Sequence, residues 1–279
     1  MNYFNLHTHT VFCDGKAEPE EYVKEAVKRK MSALGFSCHS PLPFENGYSI
    51  KEHDIEKYVS EIRSLQEKYK NQIKIYLGFE FDYVPGISED PVPLKQKMNS
   101  DFFISSVHLV RNKQNEKLWF IDGPESNYIN GLASVFNNNI KLAVTSYFEQ
   151  VIEMATKIKP DIIGHIDKIK MHNKNRFFSE NDLWYKKLTD QLLDNVQKAG
   201  CIIEVNTRGI YKKRCNSLYP GIDILKEIYK RKFPVTISSD AHLPGELTSY
   251  FDETIKILKE IGFKTIKCFS DKIWKDISI

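Results

Sequence analysis

Seven short apolar runs, separated by stretches with helical periodicity, constrain the fold of this 279-residue chain more than any other feature. Most runs are continuously apolar, which is typical of strands buried on both faces of a parallel sheet. The runs are Tyr3–His7, Ala33–His39, Ile73–Glu80, Phe102–His108, Asp161–His165, Cys201–Asn206 and Pro234–Ser238. Amphipathic helices are predicted between them, for example over Ile55–Leu65 and Leu183–Val196. This alternation predicts a parallel α/β fold.

Two regions interrupt the alternation, at residues 41–54 and 109–147. A loop as long as the second is usually a functional lid or an insertion. The sequence contains no internal repeat and no low-complexity linker. We therefore expect residues 1–279 to form a single domain with long loop insertions near 41–54 and 109–147.

Composition argues against several classes of protein. The chain is 41% hydrophobic and 28% charged, as in ordinary globular proteins, and its net charge of +3 is too small to indicate a nucleic-acid partner. No apolar run approaches the roughly 20 residues of a membrane span, and we expect no signal peptide and no membrane partner. Five cysteines without a C-x-x-C spacing predict free thiols and a cytoplasmic location. Metal ligation by Cys13 or Cys38 stays an alternative.

Metal-ligating side chains lie at the ends of most predicted strands. Six of the eight histidines and three acidic residues occupy such positions or the turn that follows. They are His7, His9, Asp14, His39, Glu80, His108, His165, Asp240 and His242. In a closed parallel barrel the carboxyl ends of the strands meet at one rim, where catalytic residues gather. The two other histidines, His53 and His172, are expected at the surface.

Nine imidazole and carboxylate donors are too many for one ion of about four to six ligands. They suit two or three divalent ions (Zn, Mn or Fe) bridged by a carboxylate and by hydroxide. Such ions, about 3.5–4 Å apart, activate a bridging water and stabilise the oxygens of a phosphate ester. The donor set therefore predicts a metal-dependent phosphoesterase.

The motifs around these donors resemble those of the PHP (polymerase and histidinol phosphatase) superfamily and, within it, the monofunctional histidinol-phosphate phosphatases. The motifs are His7-Thr8-His9 with Asp14, Ser37-Cys38-His39-Ser40-Pro41, Gly78-Phe79-Glu80, Ser106-Val107-His108, Gly164-His165-Ile166-Asp167 and Ser239-Asp240-Ala241-His242. The resemblance implies a distorted (β/α)7 TIM-like barrel with a trinuclear site at the C-terminal ends of the strands. It also implies hydrolysis of L-histidinol phosphate to L-histidinol and phosphate in histidine biosynthesis, with a metal-bridging hydroxide as nucleophile.

The resemblance further implies how the ligands divide among the ions. The first ion is held by His7, His9, Glu80 and Asp240. Glu80 bridges to the second ion, which His108 and His165 complete. The third is held by Asp14, His39 and His242. Many members of the superfamily have histidine in place of Asp14, so the third site here offers a harder donor.

Basic side chains after the fifth and sixth runs are candidates for binding the substrate phosphate. Arg208 follows the sixth run directly, and a guanidinium can bind phosphate through two parallel hydrogen bonds. Lys170 and Arg176 are further candidates in the loop after Asp167. Asp14, Glu80 and Arg208 are the predicted catalytic residues. The leaving alkoxide takes a proton either from a metal-bound water or from Asp14, and both stay open.

Other functions also stay open at this point. The chain could be another phosphoesterase of the superfamily, acting on diesters, nucleotides or small phosphates. It could be a proofreading or non-catalytic module of a DNA polymerase, although it lacks a basic stripe with interleaved aromatic residues. A metal-free binding protein is the remaining alternative. The sequence makes no prediction of the oligomeric state.

Overall fold

Parallel strands and the helices between them form an α/β fold. The computed structural model describes residues 3–88 and 90–279. The strands are β1 (Phe4–Asn5), β2 (Ala33–Phe36), β3 (Lys74–Leu77), β4 (Glu80–Asp82), β5 (Ile104–Ser106), β6 (Leu109–Arg111), β7 (Leu118–Phe120), β8 (Ile162–Ile163), β9 (Ile202–Asn206), β10 (Val235–Ser238), β11 (Thr265–Ser270) and β12 (Ile273–Ser278). The α-helices are α1 (Pro19–Lys28), α2 (Ile55–Tyr69), α3 (Val92–Met98), α4 (Glu125–Phe136), α5 (Ile140–Lys157), α6 (Leu183–Ala199), α7 (Arg208–Tyr211), α8 (Ile222–Lys230) and α9 (Phe251–Ile261). Short 3-10 helices cover Glu52–Asp54, Lys168–Lys170 and Pro244–Glu246.

Two parallel sheets hold the predicted strands. One has the order β1-β2-β3, and the other has the order β10-β9-β8-β5-β4. Isolated parallel bridges join the two sheets at two places, between Thr8 and Ala241 beyond β1 and β10, and between His39 beyond β2 and Glu80 of β4. At the first of these contacts the backbone N–H of Ala241 donates to the carbonyl of His7 at 3.0 Å. The α/β class and the parallel pairing are therefore confirmed.

Each of the seven predicted strands is present, but its regular part is shorter than the apolar run. The run Ile73–Glu80 is divided into β3 and β4 by Gly78 and Phe79. His7, His108 and His165 each lie two residues beyond the last residue of their strand. The regular ladder thus stops just before these three histidines.

Apolar side chains pack around the parallel strands. All residues of β2, β9 and β10 are buried, as expected for strands covered on both faces. The ring of Phe102 fills the space beside two glycines, because a Cβ atom at Gly35 or Gly78 would lie 2.9 or 2.6 Å from its Cζ. Glycine at these positions allows the strands and this ring to pack closely.

The expectation of a long loop at 109–147 is wrong for most of its length. This region contains the hairpin β6–β7, the helix α4 and the start of α5. Trp119 packs against Tyr128 and Phe136, with ring centroids 4.7 and 5.8 Å apart. Residues 41–51, in contrast, form the predicted irregular loop. The helices α3 and α4 and the hairpin β11–β12 were not predicted.

The cysteines, the two remaining histidines and the helices complete the comparison with the sequence. The five cysteines, which all lie in the described part of the chain, are free thiols as predicted. His53 is exposed as expected, but His172 is buried, with one ring nitrogen 2.9 Å from the carbonyl of Gly123. Within the described chain, no helix combines the length and the apolar character that a membrane crossing requires.

Replacing Gly35 with Ala should destabilise the fold. The new Cβ would lie 2.9 Å from Leu6 Cδ2 and 3.0 Å from Leu6 Cα, in addition to its contact with Phe102. Overpacking of this kind costs about 1–3 kcal/mol of unfolding free energy, measurable as a lower urea midpoint. Gly47→Ala is the matched control, since no atom lies within 4 Å of its Cβ position. Equal midpoints for the two variants would contradict the packing described here.

Candidate metal centre

The nine predicted donor side chains lie together beyond the C-terminal ends of the parallel strands. Seven are buried, while Asp14 and His242 are partly exposed. Among the described residues, three overlapping groups have ligand atoms within 4.8 Å of one another. The groups are His9, Asp14, His39 and His242; His7, His9 and Asp240; and His39, Glu80 and His108.

The carboxylate of Glu80 lies at the middle of this cluster. Its Oε2 is 3.2 Å from His7 Nε2 and 3.1 Å from His39 Nδ1, while its Oε1 is 3.1 Å from His165 Nε2. Ser106 donates a hydrogen bond to Oε1 at 2.5 Å. Burial acts to raise the pKa of Glu80, but His7, His39 and the other imidazoles lower it well below its usual value. Glu80 is therefore ionised and can bridge two cations.

Asp240 and Asp14 supply carboxylates on the side of the cluster that faces His9. Asp240 Oδ1 is 3.4 Å from His9 Nε2, and Asp14 Oδ2 is 3.1 Å from His242 Nε2. Asp240 has a left-handed backbone (φ 52°), a conformation that Asp tolerates better than most residues. Asp240 adopts it at the turn that follows β10. Asp14 lies in one group with His9, His39 and His242.

His108 and His165 form the opposite side. Their Nε2 atoms are 3.2 Å apart, and His108 Nε2 is 3.8 Å from Glu80 Oε1. The sequence analysis placed both residues at strand ends, and the fold brings those ends together across β5 and β8.

A second layer of carboxylates, which the sequence analysis missed, orients the imidazoles. Glu204 accepts a hydrogen bond from His7 Nδ1 at 2.5 Å and another from the backbone N–H of His165 at 2.7 Å. Because Glu204 keeps a proton on His7 Nδ1, Nε2 is the nitrogen of His7 that can bind a cation in the cluster. A carboxylate inside an otherwise apolar buried run is unusual, and this exception could have identified Glu204 from the sequence.

Asp82 has the same role for His108 and also lies close to His39. It accepts a hydrogen bond from His108 Nδ1, and its Oδ2 is 3.2 Å from His39 Nδ1. Asp82 lies two residues after Glu80, so both side chains leave the strand on one face. The alternation of side chains along a strand could therefore have identified it.

The donor set fits divalent cations. Among the described residues, His7 Nε2, His9 Nε2, His39 Nδ1 and Asp14 Oδ1 are buried without a hydrogen-bond partner. Each unpaired buried polar atom costs about 1–3 kcal/mol, and facing lone pairs repel unless a proton or a cation lies between them. Accordingly the pKa of His7, which burial acts to lower, is raised well above its usual value by Glu204, Glu80 and Asp240. Imidazole and carboxylate donors are those that Zn, Mn and Fe prefer.

The family model described as "PHP domain" matches residues 5–208, well over half of the chain. The chain belongs to the PHP domain family. The matched segment contains seven of the nine donors, and Asp240 and His242 follow it on the turn after β10.

Curated relatives and a solved structure align with nearly the whole of this PHP chain. A "Probable histidinol-phosphatase" of Deinococcus radiodurans is 27% identical over 93% of this chain and 94% of the relative. The "Histidinol-phosphatase" of Bacillus subtilis is 24% identical over 86% of this chain and 94% of that protein. Histidinol phosphate phosphatase from Lactococcus lactis, solved with zinc, L-histidinol and phosphate, has a similar fold, with a TM-score of 0.69 and 18% identity over 98% of this chain and 99% of that chain.

Two positively charged side chains of this PHP domain lie beside the donors. Arg208 is buried, and its guanidinium donates to the carbonyl of Asp240 at 2.7 Å. Lys168, which the sequence analysis passed over, is buried with its ammonium 2.6 Å from Asp122 Oδ2. Burial acts to lower the pKa of Lys168, but Asp122, Asp240 and Glu80 raise it above its usual value. Lys168 is therefore a charged ammonium close to the cluster.

The other two predicted phosphate ligands make different contacts. Lys170 is buried in an ion pair with Asp167 at 2.8 Å and lies 3.3 Å from Glu180. Arg176 is exposed and pairs with Glu125 at 2.6 Å. The described contacts of these two residues do not include any of the nine donors.

Replacing Glu204 with Gln should weaken metal binding while preserving the fold. The amide keeps the shape of the side chain but removes the charge that holds the proton on His7 Nδ1. Loss of such a partner typically costs about 10–100-fold in metal affinity, measurable by elemental analysis after dialysis against a chelator series. Glu56→Gln, on the exposed face of α2, is the control and should retain its metal. Equal retention by both variants would show that Glu204 does not tune the centre.

Proposed function

We propose that this PHP domain is a metal-dependent phosphoric monoester hydrolase that converts L-histidinol phosphate to L-histidinol and phosphate in histidine biosynthesis. The observation that carries the proposal is the convergence of nine imidazole and carboxylate donors around Glu80. The names of the Deinococcus and Bacillus relatives, which align over most of both chains, support this substrate.

The proposed cofactors are two or three divalent ions (Zn, Mn or Fe), and the zinc in the similarly folded Lactococcus protein supports them. The proposed ligands are those that the family resemblance implies. The first ion takes His7, His9, Glu80 and Asp240; the second takes Glu80, His108 and His165; the third takes Asp14, His39 and His242. When bound, the ions supply an activated water and neutralise charge on the phosphate.

The side chains around the donors have different roles in the proposed reaction. Glu204 and Asp82 hold the protons of His7 and His108 on the ring nitrogens that face away from the cluster. Arg208 and Lys168 add positive charge at the same rim, where it stabilises an anionic phosphoryl group.

Asp14 is assigned to ligation rather than to proton donation. Burial acts to raise the pKa of Asp14, but its hydrogen bond with His242 and the nearby imidazoles lower it below its usual value. A carboxylate that is ionised at neutral pH has no proton to give to the departing alkoxide. Of the two proton sources left open by the sequence, a water molecule is therefore the one proposed.

We also propose that residues 1–279 form a single distorted (β/α)7 TIM-like barrel. The bridges Thr8–Ala241 and His39–Glu80, which link the two sheets at two places, support this arrangement if β3 and β4 count as one strand. The free thiols support a cytoplasmic location. The mild charge of the chain supports a small phosphate monoester, rather than nucleic acid, as the partner.

The deciding experiment is phosphate release from L-histidinol phosphate by the purified full chain, reconstituted separately with Zn, Mn or Fe. A nucleotide monophosphate and a phosphodiester are assayed beside it. Preferential turnover of histidinol phosphate is the expected result. Preferential turnover of the nucleotide or the diester would replace this proposal with a different PHP phosphoesterase, and no turnover with any metal would reject an enzymatic function.

Replacing Glu80 with Ala should remove turnover and metal together, because one carboxylate contacts imidazoles from both sides of the cluster. We expect a fall in kcat/KM of at least about 100-fold, the scale for loss of a central electrostatic group. Metal content, measured on the same sample, should fall in parallel. Glu67→Ala, on the exposed surface of α2, is the control. Normal turnover by the Glu80 variant would refute the assignment of the site.

A further inference from the structure

The loop at residues 41–51 brings one aromatic side chain to the edge of the metal centre. The ring of Tyr48 lies edge-on to the imidazole of His39, with centroids 5.0 Å apart, and its centroid is 6.4 Å from that of His108. On its other side it stacks on Phe120 of β7, with centroids 5.1 Å apart and an interplanar angle of 17°. Tyr48 is thus held between the donors and the hairpin β6–β7.

Hydrogen bonds to backbone groups hold this loop in position. The side-chain oxygen of Asn46 accepts hydrogen bonds from the backbone N–H of Tyr48 at 3.1 Å and of Ser49 at 2.8 Å. The backbone N–H of Ile50 donates to the carbonyl of His39 at 3.0 Å. The loop is therefore tied directly to the segment that carries a donor, which places Tyr48 reproducibly beside the cluster.

The hydroxyl group of Tyr48 is buried and has no hydrogen-bond partner among the described residues. What distinguishes this hydroxyl is its place beside two predicted metal ligands, where a bound ligand can supply the missing hydrogen-bond partner. With a usual pKa of about 10, a tyrosine hydroxyl is neutral at physiological pH. A neutral phenol can donate one hydrogen bond.

We propose that the Tyr48 hydroxyl donates a hydrogen bond to the phosphoryl group of the substrate and so acts as a substrate-binding residue. The identity of the ester rests on the proposed function above. A phosphoryl group at a cluster of cations presents only acceptor oxygens, and hydrogen bonds to charged acceptors are the stronger kind. Because a phenol adds no charge of its own, it contributes binding without competing with Arg208 and Lys168 for the carboxylates.

The test uses Tyr48→Phe in the metal-loaded full chain. Inorganic phosphate is titrated by calorimetry into wild type and variant, which measures binding without any need for turnover. The variant should bind phosphate about 10- to 100-fold more weakly, the range for a lost hydrogen bond to a charged group. The kcat/KM values for histidinol phosphate and for p-nitrophenyl phosphate should fall by the same factor, with metal content and thermal midpoint unchanged.

Tyr185→Phe is the matched control. Its hydroxyl is also buried without a partner among the described residues, but it lies on α6. This variant should bind phosphate like the wild type.

Equal phosphate binding by the wild type and Tyr48→Phe would overturn the proposal. So would a loss confined to histidinol phosphate, which would assign the hydroxyl to the histidinol part of the substrate. A loss of metal from the variant would also overturn it, because Tyr48 would then support the donors instead of the substrate. If the wild type fails to hydrolyse histidinol phosphate, the proposed function fails, while the phosphate titration still decides the role of Tyr48.

Discussion

The constraint on which the rest of this structure depends is a buried carboxylate, Glu80, surrounded by imidazoles. An ionised group without water is tolerated only when opposite charge or donated hydrogen bonds compensate it. Here His7, His39 and His165 approach its two oxygens from three different strand ends. Each of those approaches requires the strands to end at the same level, so the sheet register and the chemistry of the centre depend on one another.

A second layer of carboxylates orients these imidazole rings. Glu204 and Asp82 accept hydrogen bonds from the outer ring nitrogens of His7 and His108, so the inner nitrogens face the cluster. Both carboxylates are almost completely buried and lie on strands rather than loops. The orientation of the donors is therefore set by the most rigid part of the molecule, as a centre that binds several ions requires.

Two short helices and a loop complete the rim with groups of a different kind. Arg208 and Lys168 bring positive charge to the donors, and Tyr48 brings a neutral hydroxyl supported by Phe120 of the hairpin β6–β7. The region that the sequence analysis expected to be a loop insertion thus contributes ordered structure to the surroundings of the site. Its hairpin and helix have apolar contacts of their own, centred on Trp119, which explains why it is not irregular.

By itself, the sequence determined the α/β class, the positions of the parallel strands and the nine side chains that the fold brings together, because strand periodicity and ligand chemistry are local properties of the residues. Tertiary structure decided the partners of those residues. Lys170 and Lys168 are equally basic in the sequence, yet the turn of the short helix at Lys168–Lys170 directs the first to Asp167 and the second to Asp122 beside the donors. Likewise, Glu204 contacts His7 across 197 residues of chain, and Tyr48 reaches His39 from an irregular loop. Contacts of that kind depend on how separate elements pack, which no local pattern of residues encodes.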